Sequence, residues 1–240
     1  MRRLRTLFIG SAVMALAVTS LGAPVAATPG KGDLAIVNGV PGTTVDVCFN
    51  GTEVKSGLRY GKWFARAFNG VRKVQFFRAD PRKCKGTKLG TRMVTQGPTA
   101  DKTLVVTRKT PKVLVFDNEG VIDTLAAEES MLWWRHAADL GNVWMRLKYW
   151  VILTVPEQPV PPIHITPHTK WGKHDQVATL SPAGFIWRAR ATRPGKTKTI
   201  AGPKVVAIKK NRRYEWYLIG TNARNAKIVV FNRKIEPFGH

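Results

Sequence analysis

Long apolar runs are nearly absent from this chain, acids are scarce, and cysteine occurs only twice. Beyond the first 27 residues no stretch approaches the roughly 20 apolar residues of a membrane-crossing helix, so no internal span is expected. No capped helical period of useful length appears either, which argues against a helical fold. There is no Gly-x-Ser-x-Gly elbow and no phosphate-cradling glycine loop. The 15 carboxylates are scattered among a large excess of Lys and Arg, and nothing marks a pair for acid–base work. A non-catalytic protein without a cofactor is the expectation. No cysteine follows the N-terminal region to take a lipid, and Ile235 to His240 show no sorting signal.

The one long apolar run, Leu7 to Leu21, follows Arg2, Arg3 and Arg5 and precedes Gly22-Ala23-Pro24-Val25-Ala26-Ala27. That order is a secretory signal peptide, residues 1–27, with cleavage after about Ala27. As a helix the run would span about 22 Å against a hydrocarbon core of roughly 30 Å, which disfavours the other reading, an uncleaved anchor. Export places Cys48 and Cys84 in an oxidising compartment, where a Cys48–Cys84 disulfide is expected.

The mature chain repeats itself. Leu34-Ala35-Ile36-Val37-Asn38 to Val45-Asp46-Val47-Cys48-Phe49 aligns without a gap on Leu132-Trp133-Trp134-Arg135-His136 to Val143-Trp144-Met145-Arg146-Leu147. Further on, Arg59 to Lys62 meets Lys170 to Lys173, and Lys112 to Phe116 meets Lys227 to Phe231. The offset grows mainly within Val151 to Pro167, whose five prolines read as an inserted loop that cannot join a central strand. Apolar residues alternate at Val45, Val47, Phe49 and at Val143, Met145, Leu147, the period of half-buried strands. Asn50-Gly51 supplies a tight hairpin turn, and the sequon Asn50-Gly51-Thr52 reads as that turn. Short strands at near-regular spacing imply an all-β protein of two tandem immunoglobulin-like β-sandwich domains. The first covers 33–117 and the second 131–235, with the Pro-rich insertion at 151–167. Between them, 118–130 is an acidic linker holding Glu119, Asp123, Glu128 and Glu129 and no basic residue.

With the copies aligned, the chain resembles the family called domain of unknown function 4397, secreted bacterial β-sandwich modules that often occur in tandem. The resemblance rests on Val45 to Gly51, on His136-Ala137-Ala138-Asp139 leading to Val143, and on Tyr60-Gly61 with Trp171-Gly172. It rests also on Pro182-Ala183-Gly184 before Phe185-Ile186-Trp187-Arg188-Ala189. It implies a fold and an extracytoplasmic location, but no activity. The second copy departs from the first in carrying Trp144 where Asp46 stands.

The formal charge of +24 is a statement about partners and solubility. Arg82, Lys83, Lys85 and Lys88 follow Pro81 in the first copy, and Lys196 and Lys198 follow Pro194 at the corresponding turn of the second. Lys209, Lys210, Arg212 and Arg213 form a further cluster, expected at a hairpin tip. These residues are the candidates for contact with a polyanion. Outside a bacterial membrane the available ones are anionic cell-wall polymers and anionic lipid surfaces, with nucleic acid an unlikely partner. Seven of the eight tryptophans fall in the second copy, and Trp144 and Trp150 are candidates for exposed aromatics that stack on a sugar or a protein partner. His164, His168 and His174 match no metal-binding spacing and read as ordinary loop histidines. Binding of an anionic or glycan surface of the cell envelope is the leading expectation. A structural or protein-binding module without polyanion binding is the alternative, and a wall-polymer enzyme comes third.

Overall fold

The computed structural model describes residues 32–98, 100–110, 112–118, 130–151, 164–169, 172–180, 185–209 and 212–234. Residues 1–27, expected above to be a signal peptide, nearly all of 118–130 and most of 151–167 lie outside the described residues, as do Lys210 and Pro182 to Gly184. Within the described residues every regular element is a strand. The first half holds β1 (Gly32–Asn38), β2 (Val45–Phe49), β3 (Thr52–Leu58), β4 (Trp63–Phe68), β5 (Gly70–Arg78), β6 (Lys88–Gln96), β7 (Asp101–Val106) and β8 (Val113–Asp117). The second holds β9 (Ser130–His136), β10 (Val143–Val151), β11 (His164–Thr169), β12 (His174–Leu180), β13 (Phe185–Thr192), β14 (Thr199–Ala207), β15 (Arg212–Ile219) and β16 (Lys227–Lys234).

The strands form four sheets, and the order repeats. In the first half the sheets run β4-β1-β7-β8 and β3-β2-β5-β6; in the second, β12-β9-β15-β16 and β11-β10-β13-β14. Adding eight to each label of the first half gives the second. Even the exceptional parallel pairs match, β1 with β7 and β9 with β15. Asn50 and Gly51 both have positive φ, as the tight turn between β2 and β3 requires. The Pro-rich segment runs into β11, which is an edge strand, where proline is tolerated.

Three apolar clusters separate the four sheets. Leu34, Ile36, Leu104 and Val106 of the first sheet pack on Val45, Val47, Val74 and Phe76 of its partner. Leu132, Trp134, Trp216 and Leu218 likewise pack on Val143, Met145, Ala189 and Val206 in the second half. The third cluster joins the halves: Ala35, Val37, Val105, Leu114 and Phe116 meet Ala137, Tyr217, Ile219, Val229 and Phe231. The β1 and β9 sheets are therefore covered on both faces and form the middle of a four-layer stack. Contiguous apolar runs such as Leu34–Val37 and Trp216–Ile219 follow from this, because a strand buried on both faces does not alternate. β2 is also buried throughout, contrary to the half-buried reading of its alternation. A connecting segment covers its outer face, as described below.

The interface between the halves carries a buried ionic network. Arg213 bonds Asp101 and Glu215, while Glu215 also accepts from the Tyr217 hydroxyl at 2.5 Å and from Thr103 at 3.3 Å. Arg135, wholly buried, lies 3.5 Å from Glu215, bonds Asn118 and sits between the rings of Phe116, Trp133 and Tyr217. Through the strand registers Asp101 is the counterpart of Arg213 and Thr103 that of Glu215. Each of these residues meets its own counterpart. Such contacts lie on a twofold axis, and two in succession along β7 and β15 set that axis parallel to the strands.

Candidate functional site: the basic end of the stack

A twofold axis along the strands puts corresponding connections at the same end of the molecule, and hydrogen bonds confirm this directly. The Asn38 amide donates to the Thr43 and Leu58 carbonyls, gathering the ends of β1 and β3 with the start of β2. Ala79, just after β5, donates to Thr44. Across the interface the Tyr60 hydroxyl donates to Asn225 at 2.5 Å, and Lys109 pairs with Asp139 at 3.0 Å. Every second connection thus comes to one end: 39–44, 59–62, 79–87 and 107–112 in the first half, 137–142, 172–173, 193–198 and 220–226 in the second. Their described residues include thirteen Lys and Arg against two acids, Asp80 and Asp139. Both acids are already paired with cations, Arg82 and Lys109. The described connections at the opposite end contribute only Lys209.

Crowding of like charge is visible within this end. Lys227 lies 3.8 Å from the Tyr60 ring centroid and donates to the Tyr60 carbonyl at 2.8 Å. Desolvation lowers its pKa, and neighbouring Lys62 lowers it further. Gly61 has φ +73°, a backbone conformation that favours glycine, and the end of the Lys227 side chain occupies the space a Cβ there would take. Burial pushes the Tyr60 phenol up to about 12, keeping it a proton donor across the interface.

The two basic loops correspond but are built differently. In the first half, Cys84 is bonded to Cys48 with Cα atoms 6.0 Å apart, which folds residues 79–87 over the outer face of β2. The fold-over also lets the buried Asp46 carboxylate accept from the amides of Gly57 and Asp80, at 2.9 and 3.2 Å. Arg82 grips Asp80 through two 3.0 Å side-chain bonds, and these bonds are the main cause of an Asp80 pKa lowered to about 2. Lys83 lies 3.6 Å from Glu53. Lys85 and Lys88 are exposed. In the second half Arg146 stands where Cys48 does. Its guanidinium reaches Thr192 Oγ1 and the Lys196 carbonyl, both at 3.2 Å, so hydrogen bonds hold the loop where the first half uses a disulfide. Lys196 and Lys198 are exposed, as is Arg193, which the sequence reading passed over.

The third cluster does not belong with these loops. β14 and β15 lie in different sheets, so Lys209 and the Arg212–Arg213 pair belong to two sheets at the opposite end and not to one hairpin. Arg213 is only 2% exposed, and the expectation that it projects toward a polyanion is corrected: Asp101 and Glu215 claim it. Burial alone would lower its pKa, but these two carboxylates more than compensate and raise it. Arg212 donates to Asn232 at 2.7 Å, and Lys209 is exposed. Trp144 is half-buried on the outer face of its sheet, with the Arg146 guanidinium 5.7 Å from its ring centroid. The side chain of Trp150 lies outside the described residues, as do those of the three histidines. The histidine backbones belong to β11 and β12, not to a loop.

Neither a protein-family model nor a curated protein matches the chain. Among solved structures it is similar to a candidate cell adhesion protein from Bacteroides ovatus, at 8% identity and a TM-score of 0.25, over 90% of this chain and 100% of the other. A candidate cell adhesion protein from Parabacteroides distasonis matches at 11% identity and a TM-score of 0.23, over 88% and 99%.

Proposed function

We propose that this chain is an exported, non-catalytic β protein of the cell envelope that holds an anionic polymer or glycan surface against its basic end. The carrying observation is the bias of thirteen cations to two acids among the described residues of the connections at one end, with both acids paired. Cations fixed on short turns and spread over the width of four sheets suit a long, repeating anion better than a compact one. The Cys48–Cys84 bond supports the extracytoplasmic part of the reading, since such bonds persist in oxidising compartments. The finer readings belong to the same proposal: two tandem immunoglobulin-like sandwiches, cleavage after about Ala27, and kinship with domain of unknown function 4397.

Incubation of the mature protein with purified walls tests the proposal. At about 0.5 M salt the Debye length shrinks to about 4 Å, so charge-held protein is released. Retention unchanged by salt would contradict the reading and favour a protein partner.

A further inference from the structure

An open cleft of about 360 Å³ lies between the β13–β14 loop and the β15–β16 turn, lined by Arg193, Lys196, Thr197, Lys198, Ile200 and Ala223. Both walls are held in place. Arg146 fixes the loop through Thr192 and the Lys196 carbonyl, and Lys196 N–H closes the turn on Arg193. The opposite wall is set by Asn225, whose side chain accepts from the amides of Thr221 and Asn222 and donates to Thr221 Oγ1. Its carbonyl is held by Tyr60 from the other half of the molecule.

The comparison between halves gives the cleft its meaning. At the corresponding loop of the first half, Asp80 and Glu53 pair with Arg82 and Lys83. Among the described residues no carboxylate lines the second-half cleft, and Arg193, Lys196 and Lys198 line it together with Ile200 and Ala223. Three cationic side chains at the rim of a mainly apolar cleft suit an anionic group carried on a compact ring or polyol, whose C–H face rests on the apolar wall. The volume is that of a small-ligand site.

We propose that this cleft is a discrete site for one anionic unit, a phosphate- or carboxylate-bearing sugar or polyol, and that it sets the register of the polymer on the basic end. The inference rests on the polymer reading above and adds a saturable site to it. Glucuronate, glycerol phosphate and inorganic phosphate are the probes, titrated into the mature protein while amide resonances are followed by NMR. Saturable shifts at Lys196, Thr197 and Ala223 are expected, with glucuronate and glycerol phosphate separating the two anion chemistries and inorganic phosphate reporting the anion alone. Two variants keep the test independent of folding. Arg193→Gln with Lys198→Gln removes charge, whereas Ala223→Trp fills the cleft and leaves every cation in place; each weakens probe binding at least tenfold. Arg82→Gln with Lys85→Gln, on the other loop, leaves it unchanged. Wild-type probe affinity in Ala223→Trp overturns the proposal, as does equal weakening by the two charge variants. Salt-sensitive polymer retention without saturable probe binding also overturns the site while sparing the broader reading; loss of both removes both.

Discussion

Asn38 and His136 occupy corresponding positions and make the same two bonds with different atoms. Asn38 Oδ1 accepts from the Val40 amide and its Nδ2 donates to the Thr43 carbonyl. His136 Nδ1 accepts from the Ala138 amide, which leaves the proton on Nε2 to meet the Gly141 carbonyl at 2.5 Å. The arrangement needs a neutral ring, and burial first, then the nearby Lys109 charge, lowers the His136 pKa against the opposing pull of Gly141 and Asp139. With the folded pKa below the unfolded value of 6.5, the unfolded chain takes the proton first as pH falls. This contribution to stability is therefore full above about pH 6.5 and is lost as pH drops from there toward the lower folded pKa. Thermal melts between pH 7.5 and 5 check it: His136→Asn, copying the first half, should flatten the decline in Tm. Glu215 is the other decisive residue, since Arg213 and Arg135 are buried against it. Glu215→Gln should cost about 3 to 5 kcal/mol in denaturant unfolding, because it strands buried cations. Composition marks neither role. Arg213 read as surface charge because it adjoins Lys209, Lys210 and Arg212; only the pairing of β15 with β9 and the packing of the halves reveal that it points inward.

At the scale of elements, most strands were legible. The alternations Val45–Phe49 and Val143–Leu147 fall on β2 and within β10, because a period-two apolar run, ended in the first case by the Asn50-Gly51 turn, leaves little choice. Burial was less legible. The alternation of β2 indicated one buried face, yet Asp46 and Cys48 are buried as well, by a loop that arrives from more than thirty residues away. The same loop position is held by a disulfide in one half and by Arg146 in the other, and the two devices should differ in strength. Cys48→Ala with Cys84→Ala is expected to lose about 3 to 4 kcal/mol in the chain-entropy account, for a separation of 36 residues. Arg146→Ala should lose only about 1 to 2 kcal/mol, the worth of hydrogen bonds from a partly exposed charge. Equal losses in denaturant titrations would show that the two ties are interchangeable.

For the whole molecule, duplication was readable from sequence, but the way the copies embrace was not. Aligned blocks define a repeating unit without saying which face it turns to its neighbour. A trace of the answer lay in the unbroken apolar runs of β1 and β15, whose strands need cover on both sides. The charged end had a simpler signal, since sorting the connections into odd and even members separates the cationic set from the other. Taken as three local clusters, the charges showed no such order. The proposed binding requires that position at the basic end, and not net charge, hold the polymer. It is tested most directly by salt titration of polymer-bound protein for two variants of equal charge. One changes Arg59, Lys62, Arg108 and Lys112 to Gln at the basic end; the other changes Arg66, Lys73, Arg92 and Arg188 on the strands. The first variant is expected to elute at much lower salt than the wild type and the second nearly with it; elution of both variants at the same salt would show that net charge alone holds the polymer.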